Sequence, residues 1–431
     1  MIRSHFKYIG LAAVLLSLTA PVFGLSLVAP TSGQQVKEAV KIKLRETDVP
    51  DGGYVSIYVG NASEQNFVTS LSAGQGVYDN GLMIFRWNTK APYYDSANPS
   101  VEKYFKDGSY VMRVDVHNAK GMVDDSAKVN VVLANKVPRS NPAPAVRLAS
   151  SLPFGRVNRY NINTSVDVFD NFGLPIMGGL GIGSYCKMIL SVEDVRPDGQ
   201  ILIRYRIGDD TYVSSLGVKS MLYENDRIRP QLYRLVNKYG NVINPNLFTK
   251  QKGYTFMDIL PVLPHQAVDV GDTWDDSMTF KIEGLTRAIS LKGTAKIDSF
   301  EWQDGRPCAK IVSDLSGKAK VNFANGNIKG NGTVRAKVTT YFAYNIGKML
   351  HRQITLIVPS TISPEAIAAL SDVNSITSDK EIEEEDEALA EAPGSGGLAA
   401  GSSRSREAEK EADTTIKGEV RLNAVVRLDV L

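Results

Sequence analysis

The side chains able to carry chemistry are few in this sequence, and their spacing does not favour it. Histidine occurs four times in 431 residues. His5 lies between Arg3 and Lys7 in the expected signal segment, and His117, His265 and His351 show neither the HExxH spacing nor cysteine neighbours of a metal centre. These three are expected at the surface. The two cysteines, Cys186 and Cys308, cannot build a zinc site or a disulfide scaffold. Gly178-Gly179-Leu180-Gly181-Ile182-Gly183 comes nearest to a phosphate cradle. Such a loop needs a helix N-terminus behind it, and Tyr185–Val195 alternates as a strand, so a loop or a close backbone crossing fits better. There is no Gly-x-Ser-x-Gly elbow. The adjacent carboxylates Asp124-Asp125, Asp209-Asp210 and Asp275-Asp276 would point to opposite sides of a strand. Asp48, Asp51, Asp124 and Asp125 could offer oxygens to Ca²⁺, but they read as solvated turn residues. No catalytic, metal or cofactor-binding residue is assigned, and no cofactor is expected.

The elements that would have to position any site are signalled more clearly. Lys+Arg 49 against Asp+Glu 47 excludes a generic polyanion binder, so nucleic acid is not an expected partner. Arg3 and Lys7 precede the apolar run from Tyr8 to Ala20, and Val22-Phe23-Gly24 places small residues for cleavage after Gly24. Residues 1–24 therefore read as a secretory signal, too short to span a membrane comfortably, and the chain as exported to the periplasm, cell envelope or medium. No later stretch is long and apolar enough to be a transmembrane segment.

Residues 25–135 show strand periodicity between turns. Val40, Ile42 and Leu44 alternate with charged residues, as do Val55, Ile57 and Val59 with their neighbours. Tyr110, Met112, Val114 and Val116 share one face of a later strand, and Ala127, Val129, Val131 and Leu133 that of the last. Pro50-Asp51-Gly52-Gly53, Asp79-Asn80-Gly81 and Asp107-Gly108 mark turns. A β-sandwich is expected.

Val28-Ala29-Pro30-Thr31-Ser32-Gly33, Phe85-Arg86-Trp87-Asn88-Thr89 and Asp107-Gly108-Ser109-Tyr110 resemble a bacterial immunoglobulin-like domain. The resemblance covers about a quarter of the chain and implies a spacer or binding platform, without the paired cysteines of antibody domains.

Residues 136–158 carry Pro138, Pro142, Pro144 and Pro153 without periodicity and are expected to be a semi-rigid linker, with an irregular but packed crossing segment as the alternative. From 159 onward longer alternating stripes appear. One is Cys186, Met188, Leu190 and Val192; others are Leu291 to Ile297, and Val334 through Phe342 to Tyr344. Ile416 to Val430 is the longest, with Lys417, Glu419, Arg421, Asn423, Arg427 and Asp429 on its other face. They predict a larger antiparallel β domain over 159–431, a curved, half-barrel-like sheet wetted on one side. Between them, about 373–412 combines an acidic run with Gly/Ser tracts and is expected to be a disordered insertion. A short helix is expected from Pro364 to Leu370. Strand parity places Cys186 on the apolar face and Cys308 on the opposite, more exposed one, as separate thiols.

The stretch Ile259-Leu260-Pro261-Val262-Leu263-Pro264, followed by Val268-Asp269-Val270-Gly271-Asp272-Thr273-Trp274, is the most individual of the chain. It resembles a Leu-Pro…Val-x-Val-Gly-Asp-x-Trp stretch of uncharacterised exported β-rich bacterial proteins. By analogy, the resemblance suggests the half-barrel of periplasmic lipoprotein carriers. Trp274, Phe342, Tyr344, Leu422 and Val426 are the candidates for a ligand-facing or core surface. The chain is thus expected to be all-β, an exported non-enzymatic binding protein for an apolar small molecule, an extended ligand or a protein or cell-envelope partner. A structural spacer for surface assembly is the alternative. A carbohydrate-active enzyme, its carboxylates united only by the fold, is the remaining catalytic reading.

Overall fold

The computed structural model describes residues 25, 27–45, 48–61, 63, 65–72, 77–95, 98–172, 184–207, 212–213, 232–244, 256–281, 288–323, 328–363 and 416–429. The signal segment, the glycine run 178–183, the helix expected from Pro364 and the insertion at 373–412 lie outside them. The protein is all-β and mainly antiparallel, and it divides into two compact units, Met1–Lys136 and Val137–Leu431. Among the described residues no helix is long and apolar enough to cross a membrane.

The first unit contains β1 (Leu27–Ala29), β2 (Gln34–Val36), β3 (Ala39–Arg45), β4 (Tyr54–Gly60), β5 (Gln65–Ser72) and β6 (Val77–Asp79). These are followed by β7 (Leu82–Asn88), β8 (Tyr93–Asp95), β9 (Asn98–Lys103), β10 (Gly108–His117) and β11 (Val123–Leu133). One sheet runs β1-β3-β7-β6 and a second runs β2-β11-β10-β4-β5, while β8 and β9 pair separately. The period-two stripes explain the sandwich. Ile42 and Leu44 from the first sheet meet Ile57, Met112 and Val114 from the second in one buried cluster. Removing each such side chain from water contributes on the order of 2 kcal/mol. His117, expected at the surface, is 8% exposed. Its ring stacks on Tyr54 at 4.3 Å, and Nδ1 lies 3.2 Å from the Gly121 carbonyl oxygen.

The second unit contains β12 (Val157–Asp170), β13 (Ser184–Val195), β14 (Ile201–Ile207), β15 (Tyr212–Val213), β16 (Leu232–Val236), β17 (Val242–Asn244) and β18 (Phe256–Met257). The remainder are β19 (Thr273–Lys281), β20 (Ile289–Gln303), β21 (Arg306–Phe323), β22 (Ile328–Ala343), β23 (Lys348–Ile362) and β24 (Ile416–Leu428). They form one 13-stranded sheet ordered β17-β16-β14-β13-β12-β24-β23-β22-β21-β20-β19-β18, with β15 paired to β13. Alternation on β24 places Val420, Leu422, Ala424 and Val426 on the buried face, while Arg421, Asn423 and Arg427 point away from it. One apolar cluster gathers residues from β13 and β14 together with residues from β20 and β21, which lie far apart along the strand order. The sheet therefore curls around its own core, as a strongly twisted sheet of this width must.

The proline-bearing stretch is a packed strap rather than a free linker. Val137 N donates to Phe300 O at 2.9 Å, Val146 and Val268 exchange backbone hydrogen bonds, and Ser150 N donates to Lys238 O at 2.9 Å. Leu148 and Leu152 are buried in the core. The prolines punctuate a segment whose intervening apolar residues find the inner face, so composition alone misread it. Cys308 also departs from expectation. It does lie opposite Ala309 and Ile311, but Ala343 and Leu350 cover it completely in a separate small cluster. The side chain of Cys186 is outside those described. Its strand, β13, is separated from β21 in the sheet by β12, β24, β23 and β22.

Candidate functional site

The curled sheet has two ends, β16–β17 and β18–β19, and no strand ladder joins them among the described residues. What joins them is the segment Asp258–Leu263, most of the apolar stretch singled out in the sequence. Asp258 N donates to Thr279 O at 3.0 Å, and Asp258 Oδ2 accepts from Thr279 N at 3.2 Å, which fixes the segment to β19. Asp258 Oδ1 then accepts from Arg234 Nε on β16 at 3.4 Å. Leu263 N donates to Tyr239 O in the β16–β17 turn at 2.7 Å. Arg352 Nη1, from the middle of β23, donates to Ile259 O at 2.9 Å. Trp274 Nε1 donates to Val262 O at 2.9 Å. Ile259, Leu260, Val262 and Leu263 are all buried, as an apolar run between two sheet ends should be.

The Val-Gly-Asp-x-Trp residues build the turn that delivers this geometry. Asp272 Oδ2 accepts from Asp269 N at 2.7 Å, and Gly271 N donates to Ile297 O at 2.9 Å. β19 then starts at Thr273, which sets Trp274 beside the seam.

A set of polar groups occupies the interior. Arg234 and Arg352 are each 1% exposed, Asp276 is 6% and Tyr205 is 7%. Arg352 shares its face with Ile354 and Leu356 and lies between Thr340 of β22 and Val426 of β24 in the cross-strand register. Burial pushes the Asp258 carboxyl above the ordinary carboxylate range, against the pull of Arg234. Burial likewise raises Asp276, against Arg352 and a hydrogen bond with Ser313. Tyr205 is held well above its usual value by burial and then by the Asp258 charge. Arg352 is lowered by burial, with Asp276 and Asp258 opposing.

A pH dependence follows with a definite sign. An acid whose folded pKa exceeds its unfolded value holds its proton more tightly when folded. Its stabilising contribution is complete below the unfolded value of 3.8 and is lost as pH rises through the raised folded value. The stability advantage of the wild type over Asp276→Asn should therefore shrink as the pH is raised above about 4 in urea denaturation. An advantage that grows with pH would mean that Arg352 stabilises the ionised carboxylate.

Of the sequence candidates, Phe342, Leu422 and Val426 are buried in the core, whereas Trp274 and Tyr344 are partly buried against it. Tyr344 meets Phe300 edge-on at 5.7 Å. Of these, Trp274 reaches the seam through a hydrogen bond, to Val262 O, and the interior polar set of Arg234, Asp258, Asp276 and Arg352 was missed. The signal was present in three of the four. Arg234 stands between Leu232 and Val236, Arg352 precedes Ile354 and Leu356, and Asp276 precedes Met278 and Phe280, each a charge at an inward parity position. His265 is exposed and His351 half-buried. Among the described residues no three His, Cys, Asp or Glu side chains are grouped to hold a metal ion. No family model, no curated protein and no solved structure matches this chain.

Proposed function

We propose that the protein is an exported, non-enzymatic binding protein whose second unit holds an apolar or extended ligand within its curled sheet. The first unit, on this reading, is a bacterial immunoglobulin-like spacer or platform. The observation that carries the proposal is the seam. The two ends of a sheet with a largely apolar inner face are joined through Asp258–Leu263 by side-chain bonds and two backbone hydrogen bonds, with no strand ladder between them among the described residues. Such a junction can part and re-form without breaking a strand pairing, which gives a ligand a route to the core. Titration of the full chain with the neutral apolar fluorophore N-phenylnaphthylamine should give saturable, blue-shifted emission with a Kd on the order of micromolar. A spacer role is favoured by one observation, that Leu148, Leu152, Ile259 and Leu263 already fill part of the inner face. A linear, unsaturating titration would support the spacer and reject binding.

A further inference from the structure

Resting on that reading, we propose that the ligand is an aliphatic monocarboxylate, its carboxylate bound side-on by Arg352 and its chain laid along the apolar inner face. Arg352 stands in a cross-strand row of the inner face, with Thr340 and Ile311 on one side and Val426 and Ile162 on the other. It is 1% exposed, and its Nε makes no hydrogen bond. Nη1 is taken by the Ile259 carbonyl oxygen, which leaves the Nε–Nη2 edge of the guanidinium. That edge presents two parallel N–H groups, the fork that a carboxylate fills with both oxygens. Among the described residues no carboxylate lies within ion-pair distance of Arg352, although Asp258 is paired with Arg234 at 3.4 Å.

The surroundings discriminate among ligands. A buried donor without an acceptor is unfavourable, so a chain that brings its own oxyanion gains more here than a neutral chain of equal length. Ile311, Val426 and Ile162 in the row of Arg352, with Ile354 and Leu356 along its strand, suit an alkyl body. Asp276 and Asp258 bear on the Arg352 charge from β19 and the seam, but Asp258 is engaged by Arg234 and burial pushes Asp276 towards its neutral form. That leaves the guanidinium available to an incoming carboxylate.

The test compares decanoate with decanol on the full chain by calorimetry. Decanoate should bind at least about tenfold more tightly, a difference of about 1.4 kcal/mol. Arg352→Met should erase that preference. Asp276→Asn, an isosteric change that fixes this neighbour in a neutral form, should leave decanoate at least as tightly bound as in the wild type. It provides the comparison where Arg352→Met does not fold. Equal affinities of the wild type for the two probes overturn the Arg352 assignment and leave the binding function standing. Failure of both probes and of N-phenylnaphthylamine to bind overturns the binding function itself.

Discussion

Arg234→Ala is expected to destabilise the second unit by about 3–5 kcal/mol at neutral pH, because it strands a largely buried carboxylate. Asp258 has 14% of its side chain exposed and receives its charged partner from the far end of the sheet. Deleting the guanidinium removes the partner while β19 still holds the carboxylate through Thr279 N. The stranded group can escape by taking up a proton, so the loss should diminish as the solution is acidified. Urea unfolding followed by tryptophan emission, with Trp87 and Trp302 replaced by Phe so that Trp274 beside the seam reports alone, reads the effect. Arg234→Met combined with Asp258→Leu should recover most of the loss, since apolar replacement of both partners removes the desolvation cost along with the attraction. A loss below about 1 kcal/mol for the single variant would show that the pair does not hold the sheet ends together.

Gly240→Ala should cost about 3 kcal/mol, from two separable sources. The residue has φ of 79°, and a Cβ there would lie 2.1 Å from the Pro261 carbonyl oxygen. Both the turn and the seam are backbone at this point, so neither can yield as a side-chain tip would. Gly199→Ala is the control. Its φ is 81°, yet nothing lies within 4 Å of the added carbon. That variant should lose only the conformational component, about 1 kcal/mol. Equal losses for the two substitutions would mean that the seam does not press on the β16–β17 turn, and thermal melts of both variants suffice to decide it.

The alternation of Val420, Leu422, Ala424 and Val426 was readable because strand geometry sends successive side chains to opposite faces, a constraint local to each strand. The same parity marked the face of Cys308 but not its burial, which depends on Ala343 arriving from β22 and Leu350 from β23 beyond it. Proline content suggested a linker at 136–158. Whether such a segment hangs free or straps a sheet depends on whether the sheet has an open apolar surface beside it, and Leu148 and Leu152 found one.

The sequence by itself determined the all-β class, the antiparallel stripes and the individuality of the Ile259–Trp274 stretch, because period, turn chemistry and composition act over a few residues. The tertiary structure alone decided that this stretch bridges the two ends of a curled sheet. It alone decided that Arg234 and Asp258, 24 residues apart, form an ion pair there. It also decided that Arg352 and Ile259, 93 residues apart, share a hydrogen bond. Inward parity announces a buried charge in the sequence. Its partner is fixed by the curvature of the whole sheet, a property that no local pattern encodes.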